Sequence, residues 1–221
     1  MLFINIGDGY SSGCCTGSRY FTAEDDPGFN GAAPLVEHPA SRPGSFVNQL
    51  AEVYKAKPLT FARHRTTIEE TLDLLDEFKK LLESSGEEKI VFFGMPDLYS
   101  IIKDDQYLLL DGLDEVELDD DEYADLCANR HEQDLTRKIS QIEHYFKEIS
   151  TLVDKVILYR TTSEPVKLNL PSNVIDTDLN IVDKLRETYK PYNRGYFDSR
   201  AYSSLKKEFL KLLWHSSISL V

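Results

Sequence analysis

The stretch Leu2-Phe3-Ile4-Asn5-Ile6-Gly7-Asp8-Gly9-Tyr10-Ser11-Ser12-Gly13 decides how the rest of the chain is read. A short apolar run ending in Gly-Asp-Gly has the form of a buried parallel strand that delivers a polar loop to the edge of a sheet. Open α/β folds place their sites at that edge. The first question is therefore what the loop after Gly7 can do.

Outward from that loop, residues 14–43 form a long excursion, rich in Gly, Pro, Asp and Ser from Thr16 to Pro43 and without a sustained period. Loops of that length inside compact domains are usually functional or mobile. Ser45 to Tyr54 then predicts a helix with Phe46, Leu50 and Val53 on one face, and Pro58 to Ala62 a brief second strand. Thr67-x-x-Glu70 has the form of a capping box, ahead of Ile68, Leu72, Leu75, Phe78 and Leu82 at helical spacing. Lys89 to Gly94 is apolar enough for a central strand and ends in Gly94-Met95-Pro96-Asp97.

Residues 98–131 hold an acidic insertion with Tyr107 to Leu110 as a short strand or an apolar anchor. A helix follows over Gln133 to Thr151, carrying Leu135, Ile139, Ile142, Phe146 and Ile149. Strands are expected at Lys155–Tyr159 and Asn173–Ile175, and a helical segment at Ile181–Thr188. A last helix, capped by Asp198 or Ser199, takes Tyr202, Leu205, Phe209 and Leu212 to the core. Alternating strands and helices imply a parallel sheet of about five strands with right-handed crossovers, a three-layer α/β/α sandwich of flavodoxin-like type. Its strand-end loops would lie at Asp8, Ala62, Gly94 and Arg160, joined by the one at Asp198.

The 221 residues, 41% of them hydrophobic, suffice for one domain spanning 1–221 with a substantial core. There is no apolar run of membrane-spanning length and no basic, apolar leader at the N-terminus, so the expected location is the cytoplasm. Cys14 and Cys15 are adjacent and Cys127 stands alone, which makes neither a disulfide framework nor a CxxC metal pair. Buried, reduced thiols are the plain reading.

The net charge is −13, and Asp104 to Asp125 contains eleven acidic residues with no Lys or Arg. That balance opposes a phosphate-neutralising surface for nucleic acid. It suits a basic protein partner docking on the acidic segment, or mimicry of a nucleic-acid backbone, although a solvated face is the commoner fate of such a run.

The short blocks now on the page resemble those of the SGNH, or GDSL-type, hydrolase family, over nearly the whole chain. The resemblance implies a flavodoxin-like α/β/α sandwich of esterases, lipases and acetylhydrolases, with catalytic residues carried in those blocks. In the first block the family's nucleophilic serine falls on Gly9. The oxyanion-hole glycine of the second block, matched by Thr60-Phe61-Ala62-Arg63-His64-Arg65, falls on Arg65. The third block is Gly-x-Asn-Asp, and its oxyanion asparagine falls on Pro96, which has neither a side-chain donor nor a backbone N–H. The last block is Asp-x-x-His, matched by Asp198-Ser199-Arg200-Ala201, so the base falls on Ala201. The cadence around Arg65-Thr66-Thr67 is most similar to small hydrolase-like proteins encoded by tailed phages, which would place the protein in a host cytoplasm or a virion.

Acyl transfer needs an activated hydroxyl, a base in reach and donors where the oxyanion forms. Nucleophile, base and two donors are all missing at the matched positions. Replacements would have to come from Ser11 or Ser12 with His64 and Asp198. Loop serines more often bond local backbone, and a base must meet geometry before pKa matters. His38 and His131 are the other histidines, with His144 and His215 expected at the surface.

Asp8, Asp97 and Asp198 converge on the strand ends in this alignment, but three scattered aspartates specify no hard-cation site. Asp8 ordering its loop and Asp198 capping a helix is the simpler account. Neither a metal nor a cofactor is therefore expected. The expectation is a catalytically degenerate SGNH-like binding or interaction module, with a cleft lined by Asp8, Gly9, Tyr10, Arg63, Gly94, Asp97, Asp198 and Arg200. Two alternatives remain: an active esterase or acetylhydrolase with relocated residues, and an acidic decoy of a basic protein.

Overall fold

The computed structural model describes residues 1–7, 45–62, 71, 72, 79, 80, 82, 83, 86–95, 98, 101–103, 106–108, 132–161, 166–189 and 199–215. Its main sheet has five strands: β1 (Leu2–Gly7), β2 (Lys57–Ala62), β3 (Lys89–Met95), β6 (Lys155–Arg160) and β7 (Val174–Asn180). They lie in the order β2-β1-β3-β6-β7, and every adjacent pair is parallel. Within this sheet the order is 2-1-3-4-5, the flavodoxin-like doubly wound arrangement, whose topological switch point lies between β1 and β3. A second, two-stranded antiparallel sheet joins β4 (Ile101–Lys103) to β5 (Gln106–Leu108).

Side chains alternate across the main sheet and so supply two separate cores. Leu2, Ile4 and Ile6 of β1, Val91, Phe93 and Met95 of β3, and Val156 and Leu158 of β6 face one side. There they meet Ile142, Tyr145, Phe146 and Ile149 of helix α2 (Glu132–Ile149), with Leu82 beside them. Phe3, Ile90, Phe92, Ile157 and Tyr159 face the other side. They meet α1 (Phe46–Tyr54), α3 (Ile181–Arg186) and α4 (Ser199–His215). The result is a three-layer α/β/α sandwich.

Local signals explain the helix ends. Ser45 caps α1 by accepting the Asn48 N–H at 3.2 Å, and Lys55 ends it at φ 52° with its N–H turned back onto the last turn. Asn180 caps α3 by accepting from Val182 and Asp183 at 3.0 and 3.1 Å.

Three boundaries differ from the sequence reading. Val53 is 52% exposed although the helical period keeps it on the side of Phe46, because α1 is buried from Phe46 through Ala51 and burial stops before its last turn. In α4 the fully buried position is Leu213, with Leu212 half-buried. The last strand is seven residues long, not the three expected at 173–175. Asp176, Thr177 and Asp178 mask it by composition, yet each has a side-chain bond back to the end of β6, described below. The capping box at Thr67 and Glu70 lies outside the described residues. Those described between 71 and 83 are helical; Leu82 is buried as that pattern requires, Leu72 is half-buried, and Thr71, outside the pattern, is buried as well.

Candidate functional site

The parallel register brings the carboxyl ends of the strands to one edge. Gly7 stands opposite Ala62, and Met95 stands opposite Arg160. Gly7 has φ 150°, a backbone conformation that a side chain would strain, so the last residue of β1, beside the switch point, calls for glycine.

Three sets of polar contacts organise this edge. The first is a buried pair beneath it: the Tyr159 hydroxyl donates to Asn5 Oδ1 at 3.2 Å. Asn5 is on β1 and Tyr159 on β6, with β3 between them. Two strand spacings are about 9.6 Å, a gap that the long phenol closes by lying across β3. Tyr159 is in register with Gly94, which puts no side chain in its way.

The second set lies at the ends of β6 and β7. Arg160 donates both terminal nitrogens to Asp176, at 2.8 and 2.7 Å, and Nη1 is also 3.1 Å from Asp178 Oδ1. Its side chain is 9% exposed, against 88% for Asp178. The hydrogen bonds to Asp176, opposed by partial burial and helped by the charges of both aspartates, hold the guanidinium above its ordinary range. Thr177 Oγ1 donates to the Leu158 carbonyl at 2.8 Å, Asp178 occupies a left-handed turn at φ 52°, and the β6–β7 register shifts here. The arginine is thus neutralised inside the protein, and the group as a whole carries one net negative charge.

The third set fixes the exit of β3. Thr161 Oγ1 donates to the Met95 carbonyl and Lys138 Nζ to the Leu98 carbonyl, each at 2.9 Å and buried.

Of the positions singled out in the sequence, the described residues include Gly94, Arg200 and Ala201. Arg200 is exposed near the start of α4. Ala201 is 0% exposed, packed in the layer with Phe46, Tyr159, Tyr202 and Phe209. Asp8, Gly9, Tyr10, Ser11, Ser12, Cys14, Cys15, His38, Arg63, His64, Arg65, Pro96, Asp97, Cys127, His131 and Asp198 lie outside the described residues, as does most of the acidic segment. His144 is exposed on α2, with Nε2 3.4 Å from Glu148 Oε1. Among the described residues no group of three or more His, Cys, Asp or Glu could hold a metal ion, and no helix is long and apolar enough to cross a membrane.

The sequence alone assigns no role to Asn5, Lys138, Tyr159, Asp176 or Asp178, and marks Arg160 only as the place of a strand-end loop. Signals for some of them were present. An asparagine inside an otherwise apolar strand asks for a buried partner, and Asp176 and Asp178 at a spacing of two share one side of a strand.

No family model matches the chain, and no curated protein matches it. Among solved structures it is similar to phospholipase A1 from Streptomyces albidoflavus, at 12% sequence identity and a TM-score of 0.34, over 76% of this chain and 63% of that one. The chain therefore spans less than two thirds of that protein's length, and a likeness this low carries no weight beside the strand order, which by itself defines the fold.

Proposed function

We propose that the protein is a catalytically degenerate SGNH-hydrolase-like module that binds a partner at its strand-end edge and does not cleave it. The observation that carries this reading is Ala201. The position matching the family's base has no titratable group, and its methyl lies wholly within an apolar layer. A general base must reach the proton that it removes, and a helix position turned into the core cannot present one to a ligand. The substitutions at Gly9, Arg65 and Pro96 point the same way from the sequence. Contact through the acidic segment, with a basic protein surface as partner, fits the charge distribution.

The test is a screen of the purified full chain against p-nitrophenyl esters of increasing acyl length. The expected result is no turnover above the uncatalysed rate. Turnover that disappears in Ser11→Ala or Ser12→Ala, and in His64→Ala, would overturn the proposal in favour of a hydrolase with relocated residues.

A further inference from the structure

We infer that the outward side of α4 is a docking surface for an acidic peptide segment that also carries apolar side chains, a contact additional to the strand-end edge. A helix turns about 100° and rises about 1.5 Å per residue. Arg200, Lys207, Lys211 and Trp214 therefore fall within about 60° of one another, on a row about 21 Å long. All four are exposed. Tyr202, Leu205, Phe209 and Leu213 take the opposite side of the helix and are buried in the core.

The fold itself asks for neither the tryptophan nor the charges of this row. Trp214 is 84% exposed, whereas a tryptophan ordinarily gives most of its large apolar surface to a core. The helix dipole favours cations only within about the last turn and opposes one in the first, where Arg200 stands. Lys207 and Lys211 are four residues apart and repel each other, with Glu208 at 3.1 Å from Lys211 offsetting one of the charges. Over the whole of α4 four Lys and Arg stand against a single Glu, although the chain carries a net charge of −13.

Charge complementarity sets the occupant. A positive row one side chain wide matches carboxylates repeated along a helix or strand, and the indole beside Lys211 gives an apolar side chain of that segment a flat surface to cover. A membrane surface draws on clusters of about four to eight basic residues, and nucleic acid on a broad phosphate-neutralising face. The three cations of this row, on an acidic chain, meet neither requirement. A second α4 would set lysine against lysine.

Trp214 is the chain's single tryptophan, so its emission reports on this surface alone. The full chain is titrated with a synthetic Glu/Leu peptide of about 15 residues, the length that spans the row, with glutamates at four-residue spacing and no tryptophan. The expected result is a saturable shift of emission to shorter wavelength with reduced acrylamide quenching, weakened by added salt. Lys207→Glu is expected to weaken binding about fivefold, since a surface ion pair gives way to a like-charge contact. Lys147→Glu, the same charge change on the exposed side of α2, is expected to leave it unaltered. An unmoved emission, equal weakening by Lys147→Glu, or a stronger response to phosphatidylserine vesicles or a single-stranded oligonucleotide than to the peptide would overturn the proposal. Ester hydrolysis does not enter the measurement, so its outcome is independent of the catalytic reading.

Discussion

The two faces of the main sheet are filled by different means. On the α1/α4 side, Phe46 stacks on Phe209 with centroids 4.5 Å apart, and Phe92 and Tyr159 close on the same rings edge-on at 5.3–6.2 Å. On the α2 side, aliphatic residues surround fewer aromatics, Phe61, Phe93, Tyr145 and Phe146, and a lysine is buried near the strand ends. The first face is an aromatic block with the buried Tyr159–Asn5 bond inside it, and Ala201 lies in that layer. The second holds its polar anchors, Lys138 to Leu98 and Thr161 to Met95, at the end of β3. The same edge can therefore rest on ring packing on one side and on bonds to main-chain carbonyls on the other.

The contrast predicts that Phe209→Ala is the most damaging of the core truncations, at about 3–5 kcal/mol in urea denaturation. Phe146→Ala, its counterpart on the α2 face, with two ring partners among the described residues against three, should cost less. Equal losses would break the distinction between the faces. Ala201→His asks whether the base position can be refilled. With overpacking and an imidazole forced into an apolar layer, it is expected to cost about 3 kcal/mol and to confer no ester hydrolysis.

Tyr159→Phe deletes the hydroxyl but leaves Asn5 buried, an expected loss of about 1–2 kcal/mol. A neutral result would mean that Asn5 finds another donor. The smallest effect belongs to the α2 surface. The hydrogen bond from Lys79 holds the Glu148 carboxyl below its usual 4.5, opposed by desolvation and aided by the charges of Lys79 and His144. A depressed carboxyl contributes stability above its unfolded pKa, and that contribution disappears as pH falls through the lower folded value. Lys79→Ala should therefore lower stability slightly and by a constant amount above about pH 6, and flatten the acid side of the stability–pH profile as the difference disappears at low pH.

Much of the fold was legible because strands such as Ile90 to Phe93 are apolar throughout, and amphipathic helices such as α2 repeat at three and four residues. The resulting alternation of strand and helix leads to the doubly wound sheet without any tertiary information. The spacing of Val53 from Phe46 gives no warning that it is exposed, because burial of α1 ends at Ala51 where its last turn leaves the core, a tertiary fact with no local signal. β7 was cut short because Asp176 and Asp178 look like turn residues until Arg160 is seen to hold them. The polar architecture of the site was illegible for the same reason. Asn5 and Tyr159 are 154 residues apart, Lys138 and Leu98 are 40, and nothing local in either segment encodes the other.

The bond from Tyr159 to Asn5 also governs sliding. A parallel strand could in principle shift along its neighbour and regain a ladder, though a one-residue shift turns its core residues to the opposite face. Here a side chain from β6 passes over β3 and is fastened to β1, so the three central strands can move past one another only by breaking it. Gly94 is the gap through which that crossbar passes, and a bulky residue there would unfasten the alignment of the sheet before it touched any ligand.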